Sequence, residues 1–315
     1  MGVGIGYPLK DFATVNVDIC RLSDERRGGW PREKSDAEGG SGEKIGGEKI
    51  GLGKVIQRLT AQFGLIAFQT IQTINNRVVK RLGYKNPEKD IDPWEMSENR
   101  YNVLLTVTLC HRAGDCTFSI SNYHMPCAFF APAVMNIHTE MVSKRVQDLA
   151  ADSWKSIRSD ECSTETPQEG IKTIPYILAG DFNILPDSAQ YKILTSGELA
   201  KSDPTYPPTK HGKEWKVESL PMDSAYGLGG SEPEFTNYAH TKDDPDPFIG
   251  TLDYIFLSKK EGVSSNHGEN GGCERWKVHC TLKLPCKDDS GGPFPNAKEP
   301  SDHLMIAADL ELVHS

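Results

Sequence analysis

Polar and apolar residues alternate at two-residue spacing over residues 14–22, around Val15, Val17 and Ile19, and that period predicts a strand. A shorter apolar run at residues 4–8 predicts another. Two further runs, at 101–109 and 117–123, are joined by Ala113-Gly114-Asp115 and predict a hairpin. At 132–149 the spacing changes: Val134, Ile137, Met141, Val142, Val146 and Leu149 share one face of a helix. An apolar strand follows at 174–179, closed by Gly180, then a helix at 188–195 and strands at 250–257 and 304–312. Residues 28–53 break the pattern, and the Gly-Glu-Lys-Ile unit that recurs between Gly42 and Gly51 predicts a flexible insertion. Beyond it, Val55, Ile56, Leu59, Phe63 and Ile66 recur at helical spacing, and residues 85–99 read as polar connecting chain. Hairpins, several strands and a few helices predict an α+β layered sandwich. The whole of 1–315 is expected to form a single domain with an insertion at about 28–98.

Charge narrows the ligand. The 315 residues carry a formal net charge of −9, and a protein that grips long duplex nucleic acid usually shows a basic footprint. Short single strands, small nucleotides or other phosphoesters fit better. The apolar runs fall far short of the ~20 residues a membrane span needs. The N-terminus lacks the basic flank and apolar core of a signal peptide, and Gly6 breaks the myristoylation pattern. None of the 8 cysteines forms a C-x-x-C pair, which argues against structural zinc and for reduced thiols in a cytoplasmic protein. The arginines at 21, 26, 27 and 32, beside Trp30, form a local basic cluster, read either as solvated loop or as a contact to a nucleic-acid backbone.

Four short motifs carry candidate chemistry. In Gly180-Asp181-Phe182-Asn183 an acid and an amide two residues apart place oxygen-bearing side chains on one side of a strand end. Such oxygens suit Mg²⁺ or Mn²⁺ and a reacting phosphate, although Asp and Asn are also ordinary turn residues. Asp253 sits inside the apolar run 250–257, where an unpaired carboxylate is costly, so it needs a partner. Ser301-Asp302-His303 offers one, since a carboxylate orienting an imidazole is a recurrent device for proton transfer. His124 directly follows the second strand of the hairpin.

The order of these motifs resembles the endonuclease/exonuclease/phosphatase superfamily. The segments Glu232-Pro-Glu-Phe-Thr-Asn-Tyr238 and Phe248-Ile-Gly-Thr-Leu-Asp-Tyr-Ile-Phe256 look like its deadenylase, nocturnin and 2′,5′-phosphodiesterase branch. The resemblance implies a four-layer α/β/β/α sandwich of the deoxyribonuclease-like type, incomplete at the N-terminus, and a Mg²⁺-dependent phosphodiesterase acting on single-stranded RNA or a short oligonucleotide. A phosphatase or lipid phosphodiesterase, or an inactive binding protein, are the alternatives it leaves. By resemblance Asp181 would orient or deprotonate the attacking water, Asn183 would hold the scissile phosphate, and Asp302, with Asp181, would meet the metal. His303, paired with Asp253, would stabilise the transition state, and His124 would bind a non-bridging oxygen. Asn237 and Phe248 match positions that line a nucleotide pocket. The superfamily's metal-binding glutamate, in a Leu-Gln-Glu-like strand end, has no counterpart here. The chain is therefore expected to begin inside the domain, or else to be a diverged protein that has lost catalysis, and to be weakly active or inactive. Nothing in the sequence calls for a protein partner.

Overall fold

In the computed structural model the described residues are 3–33, 91–114, 116–159, 173–240, 246–259 and 276–313. The glycine-rich insertion and the helix expected near 54–82 lie outside them. The alternating run forms β1 (Phe12–Arg21), which pairs antiparallel with β2 (Val103–His111). The predicted hairpin joins β2 to β3 (Thr117–Tyr123). Next to β3, and parallel to it, runs β4 (Tyr176–Asp181). A parallel neighbour needs a long crossover, and helix α2 (Pro132–Ser159) lies on that path. Antiparallel β8 (Asp253–Ser258) and β5 (Met222–Ser224) complete a six-stranded sheet of order β1-β2-β3-β4-β8-β5.

The two-residue period sorts this sheet into faces. Leu104, Tyr123, Leu178, Tyr254 and Phe256 join Met135, Ile137, Val142 and Val146 of α2 in the main core. Helix α3 (Ala189–Ser196), capped by the Ser188 hydroxyl and stopped by left-handed Gly197, adds Ile193 and Leu194. From the opposite face Phe118, Ile177, Ile255 and Leu257 meet Trp276, Val278, Leu310 and Leu312 of a second sheet, β9 (Trp276–Thr281) paired with β10 (Ala308–Leu312). Helix, sheet and sheet thus stack as the α+β reading expects. The short helix α4 (Ala225–Leu228) follows β5, and β6 (Asn237–Ala239) pairs with β7 (Phe248–Gly250) at one end of the large sheet.

Some local readings differ. Residues 4–8 are irregular, and 304–307 lead into β10 without joining it. Within the polar chain before β2 lies helix α1 (Pro93–Glu98): Asp92 accepts from the amides of Trp94 and Glu95, and Pro93 presets the first turn. Among the described residues no helix is long and apolar enough to cross a membrane.

Candidate active site

One edge of the large sheet gathers the motifs. β4 ends at Asp181 and β8 begins at Asp253, and the two residues are cross-strand partners. Like charges placed opposite each other repel, so this register calls for polar partners nearby, and two imidazoles stand there. His124 Nε2 lies 3.3 Å from Asp181 Oδ2, and His303 Nε2 lies 3.9 Å from the same oxygen. On its far side His303 Nδ1 donates to Asp253 Oδ2 at 2.8 Å.

The Gly-Asp-Phe-Asn turn has a physical reason for each residue. Gly180 adopts φ +146°, and a Cβ there would stand 2.0 Å from the Tyr123 carbonyl oxygen, so only glycine lets the end of β4 pack this tightly on the end of β3. Phe182 is fully buried against Tyr254 and Phe256 and turns Asp181 toward the site. Asn183 has φ 51°, its amide N–H donates to Asp181 Oδ1 at 3.0 Å, and its Nδ2 donates to the Met125 carbonyl at 3.0 Å. Met125 N–H in turn donates to the Asp181 carbonyl at 2.9 Å. These bonds lock the His124–Met125 loop to the Asp181 turn.

The opposite wall comes from later chain. His303 bridges to Asn237, and Leu304 N–H donates to the Thr236 carbonyl. Asn237, buried, sends Nδ2 to Asp302 Oδ2 at 3.4 Å. Phe248 is partly buried and its ring lies 6.3 Å from that of exposed Phe129. The sequence reading gave no role to Thr236, whose buried hydroxyl donates to Asp253 Oδ2 at 2.7 Å and accepts from the amides of Leu252 and Asp253. Its only cue is a small hydroxyl residue between Phe235 and Asn237.

Burial, reinforced by the charge of Asp253, raises the Asp181 carboxyl above the usual carboxylate range. The hydrogen bond to Asp253 raises the His303 imidazole, against the pull of burial. An acid held above its ordinary range beside imidazoles is a proton-transfer arrangement. Asp181, Asp253 and His303 also form the one group of side chains among the described residues able to converge on a metal ion, their ligand atoms lying within 4.8 Å of one another. Because His303 Nδ1 is engaged by Asp253, carboxylate oxygens dominate the donor set, and these suit Mg²⁺ or Mn²⁺ better than a thiophilic metal.

No family model matches the chain. It is 30% identical over 195 residues to the carbon catabolite repressor protein 4 homolog 4 of Arabidopsis thaliana, covering 61% of this chain and 37% of that protein. It is 33% identical over 234 residues to the CCR4-Not complex 3′-5′-exoribonuclease subunit Ccr4 of Emericella nidulans, covering 67% and 31%. The chain thus spans about a third of the length of these curated relatives. Among solved structures it is similar to ANGEL2, a 2′,3′-cyclic phosphatase, with 18% identity, a TM-score of 0.46 and coverage of 69% and 63%.

Proposed function

The chain belongs to the endonuclease/exonuclease/phosphatase superfamily, a family of hydrolases, and from that premise we propose that it hydrolyses phosphodiester bonds of single-stranded RNA or a short oligonucleotide with the help of Mg²⁺ or Mn²⁺. The observation that carries this reading is Asp181, a partly buried carboxylate with an imidazole on each side, one of them backed by a second carboxylate. In the proposed reaction Asp181 accepts a proton from the attacking water. His303, held by Asp253, presents Nε2 to the charge that develops on the phosphate, and His124 donates to a non-bridging oxygen. Asn183 keeps the His124 loop in register with Asp181 and offers its remaining amide hydrogen. Asp181, with Asp253 within reach and Asp302 nearby in the chain, would hold the divalent ion, which supplies charge neutralisation to the phosphate. Asn237 and Phe248 would line the nucleotide pocket, Phe248 by stacking on a base. That the relatives include a 3′-5′-exoribonuclease subunit supports RNA as substrate.

Release of nucleotides from a short oligoadenylate, followed with Mg²⁺ and with EDTA, tests the proposal. Hydrolysis should need the divalent ion, and Asp181→Asn should lower it roughly 10²–10⁴-fold. Equal rates for the two proteins would reject this reading.

A further inference from the structure

Arg100, between α1 and β2, differs from the ion-paired cations near it, and from Arg26, which pairs with no carboxylate among the described residues but lies over the Trp30 and Trp94 rings and donates to the Gly29 carbonyl at 2.5 Å. Arg21 is paired with Asp24, Arg32 with Glu98, and Lys210 with Asp92. The Arg100 guanidinium has Nε and Nη2 shut off from solvent with no acceptor for either, and no carboxylate pairs with it among the described residues. The groups that act on its charge are the phenol of fully buried Tyr123 and the thiol of Cys127, an exposed residue, and desolvation raises both above their ordinary values. An uncompensated buried guanidinium is costly to a fold, and its cost is repaid when an anion arrives.

Its place says which anion. β2 begins at the edge of the sheet where β3 and β4 end, with Leu104 opposite Tyr123 and Asn122 opposite Ala179. One strand, β3, separates β2 from β4, so the start of β2 stands roughly 10 Å to the side of the end of β4. The residue is anchored by its backbone: the carbonyl accepts from Arg21 Nε at 2.9 Å and from the Ser23 hydroxyl at 3.0 Å. Two residues on, Asn102 Nδ2 donates to the His124 carbonyl at 2.7 Å. Cys127, on the loop from β3 to α2, feels the charges of both Asp181 and Arg100. None of the backbone bonds uses the guanidinium.

We propose that Arg100 binds a second phosphate of the substrate, beside the one being cleaved, and so sets how the oligonucleotide lies across the site. The inference rests on the phosphodiesterase reading above. Binding of a labelled short oligoadenylate, measured by anisotropy in EDTA to prevent turnover, compares the full chain with Arg100→Gln and Arg100→Lys at several salt concentrations. Arg100→Gln should weaken binding about ten-fold and lower the slope of log Kd against log salt by about one, with Arg100→Lys recovering part of both. Thermal denaturation of the same proteins should give Arg100→Gln a Tm at or above that of the parent, with inorganic phosphate stabilising the parent more than the variant. Unchanged affinity and salt slope would overturn the proposal. So would a lower Tm for Arg100→Gln with undiminished phosphate stabilisation, the signature of a structural cation. If the parent ignores the oligonucleotide but its response to phosphate depends on Arg100, the RNA reading falls and the anion site stands. If the parent responds to neither, both fall.

Discussion

The two halves of the large sheet are held by different forces. At β4 and β8 both faces are covered by apolar side chains, α2 on one side and the β9–β10 sheet on the other. At β1 the inner face meets α2 largely through charge. Arg145 of α2 bonds Asp18 at 3.0 Å and Glu25 at 3.2 Å, and Arg27 bonds Asp148 at 2.7 Å. The other face presents Val15, Val17 and Ile19 at 52%, 51% and 68% exposure, with no described residue over them. The paired carboxylates sit on the first half. Holding two like charges opposite each other needs a backing that does not yield, and close-packed apolar layers yield less than solvated ion pairs.

Substitutions at Gly180, Thr236, Glu140 and Val17, with controls, probe that contrast, from the largest effect to the smallest. Gly180→Ala should cost more than ~3 kcal/mol and abolish activity, because it forces both a disfavoured φ and an overlap with the Tyr123 carbonyl. Urea denaturation measures it, and Gly29→Ala, with a positive φ but open space around it, is the control that separates strain from overlap. Thr236→Val leaves two buried amides without an acceptor and should cost about 1–3 kcal/mol. It should also slow hydrolysis about ten-fold, with Thr236→Ser restoring most of the rate; a valine variant of full activity would show that Asp253 needs no such support.

Glu140→Gln tests the charged half. Burial, outweighing the charge of Arg26, pushes the Glu140 carboxyl up to about 7. A carboxyl raised on folding binds its proton more tightly in the folded state, so its contribution to stability is lost as pH rises from the unfolded value to about 7 and stays lost above. The glutamine variant should therefore match the parent near pH 4.5 and exceed it by on the order of 1–2 kcal/mol at pH 8. A difference independent of pH would count against this. Val17→Ala should change stability by no more than ~0.5 kcal/mol, whereas Leu178→Ala, fully buried on β4 of the same sheet, should cost about 2–5 kcal/mol. A large loss at Val17, three strands from Leu178, would mean that its face is covered and that the contrast between the halves is weaker than described.

What the chain discloses without a structure follows the range of the interactions involved. β1 to β4 and α2 were legible because each carries its own period, and the Asp181, Asp253, His303 and His124 motifs because each is a short string beside a strand end. Helix α1 was missed although Asp92-Pro93 opens it, because six residues are too few to show a helical face. β9 was missed because Trp276-Lys-Val-His-Cys-Thr281 mixes polar and apolar residues, and its partner β10 lies some 30 residues further on. Thr236 and Arg100 were illegible for a stronger reason. One matters because the distant Leu252–Asp253 segment meets its hydroxyl, the other through partners it lacks, and neither fact is local to the sequence.

The Thr236 hydroxyl also gives the site a polarity. Its oxygen already accepts two backbone hydrogens, so its own hydrogen points one way, to Asp253 Oδ2. That oxygen receives the Nδ1 hydrogen of His303 as well. The chain of donors therefore runs inward from the backbone amides and from the imidazole, and converges on one oxygen. His303 is held in the tautomer with hydrogen on Nδ1, and any proton it gains or gives up travels through Nε2, the nitrogen that faces Asp181. Two peptide groups, which never titrate, thereby dictate the direction of traffic for the groups that do.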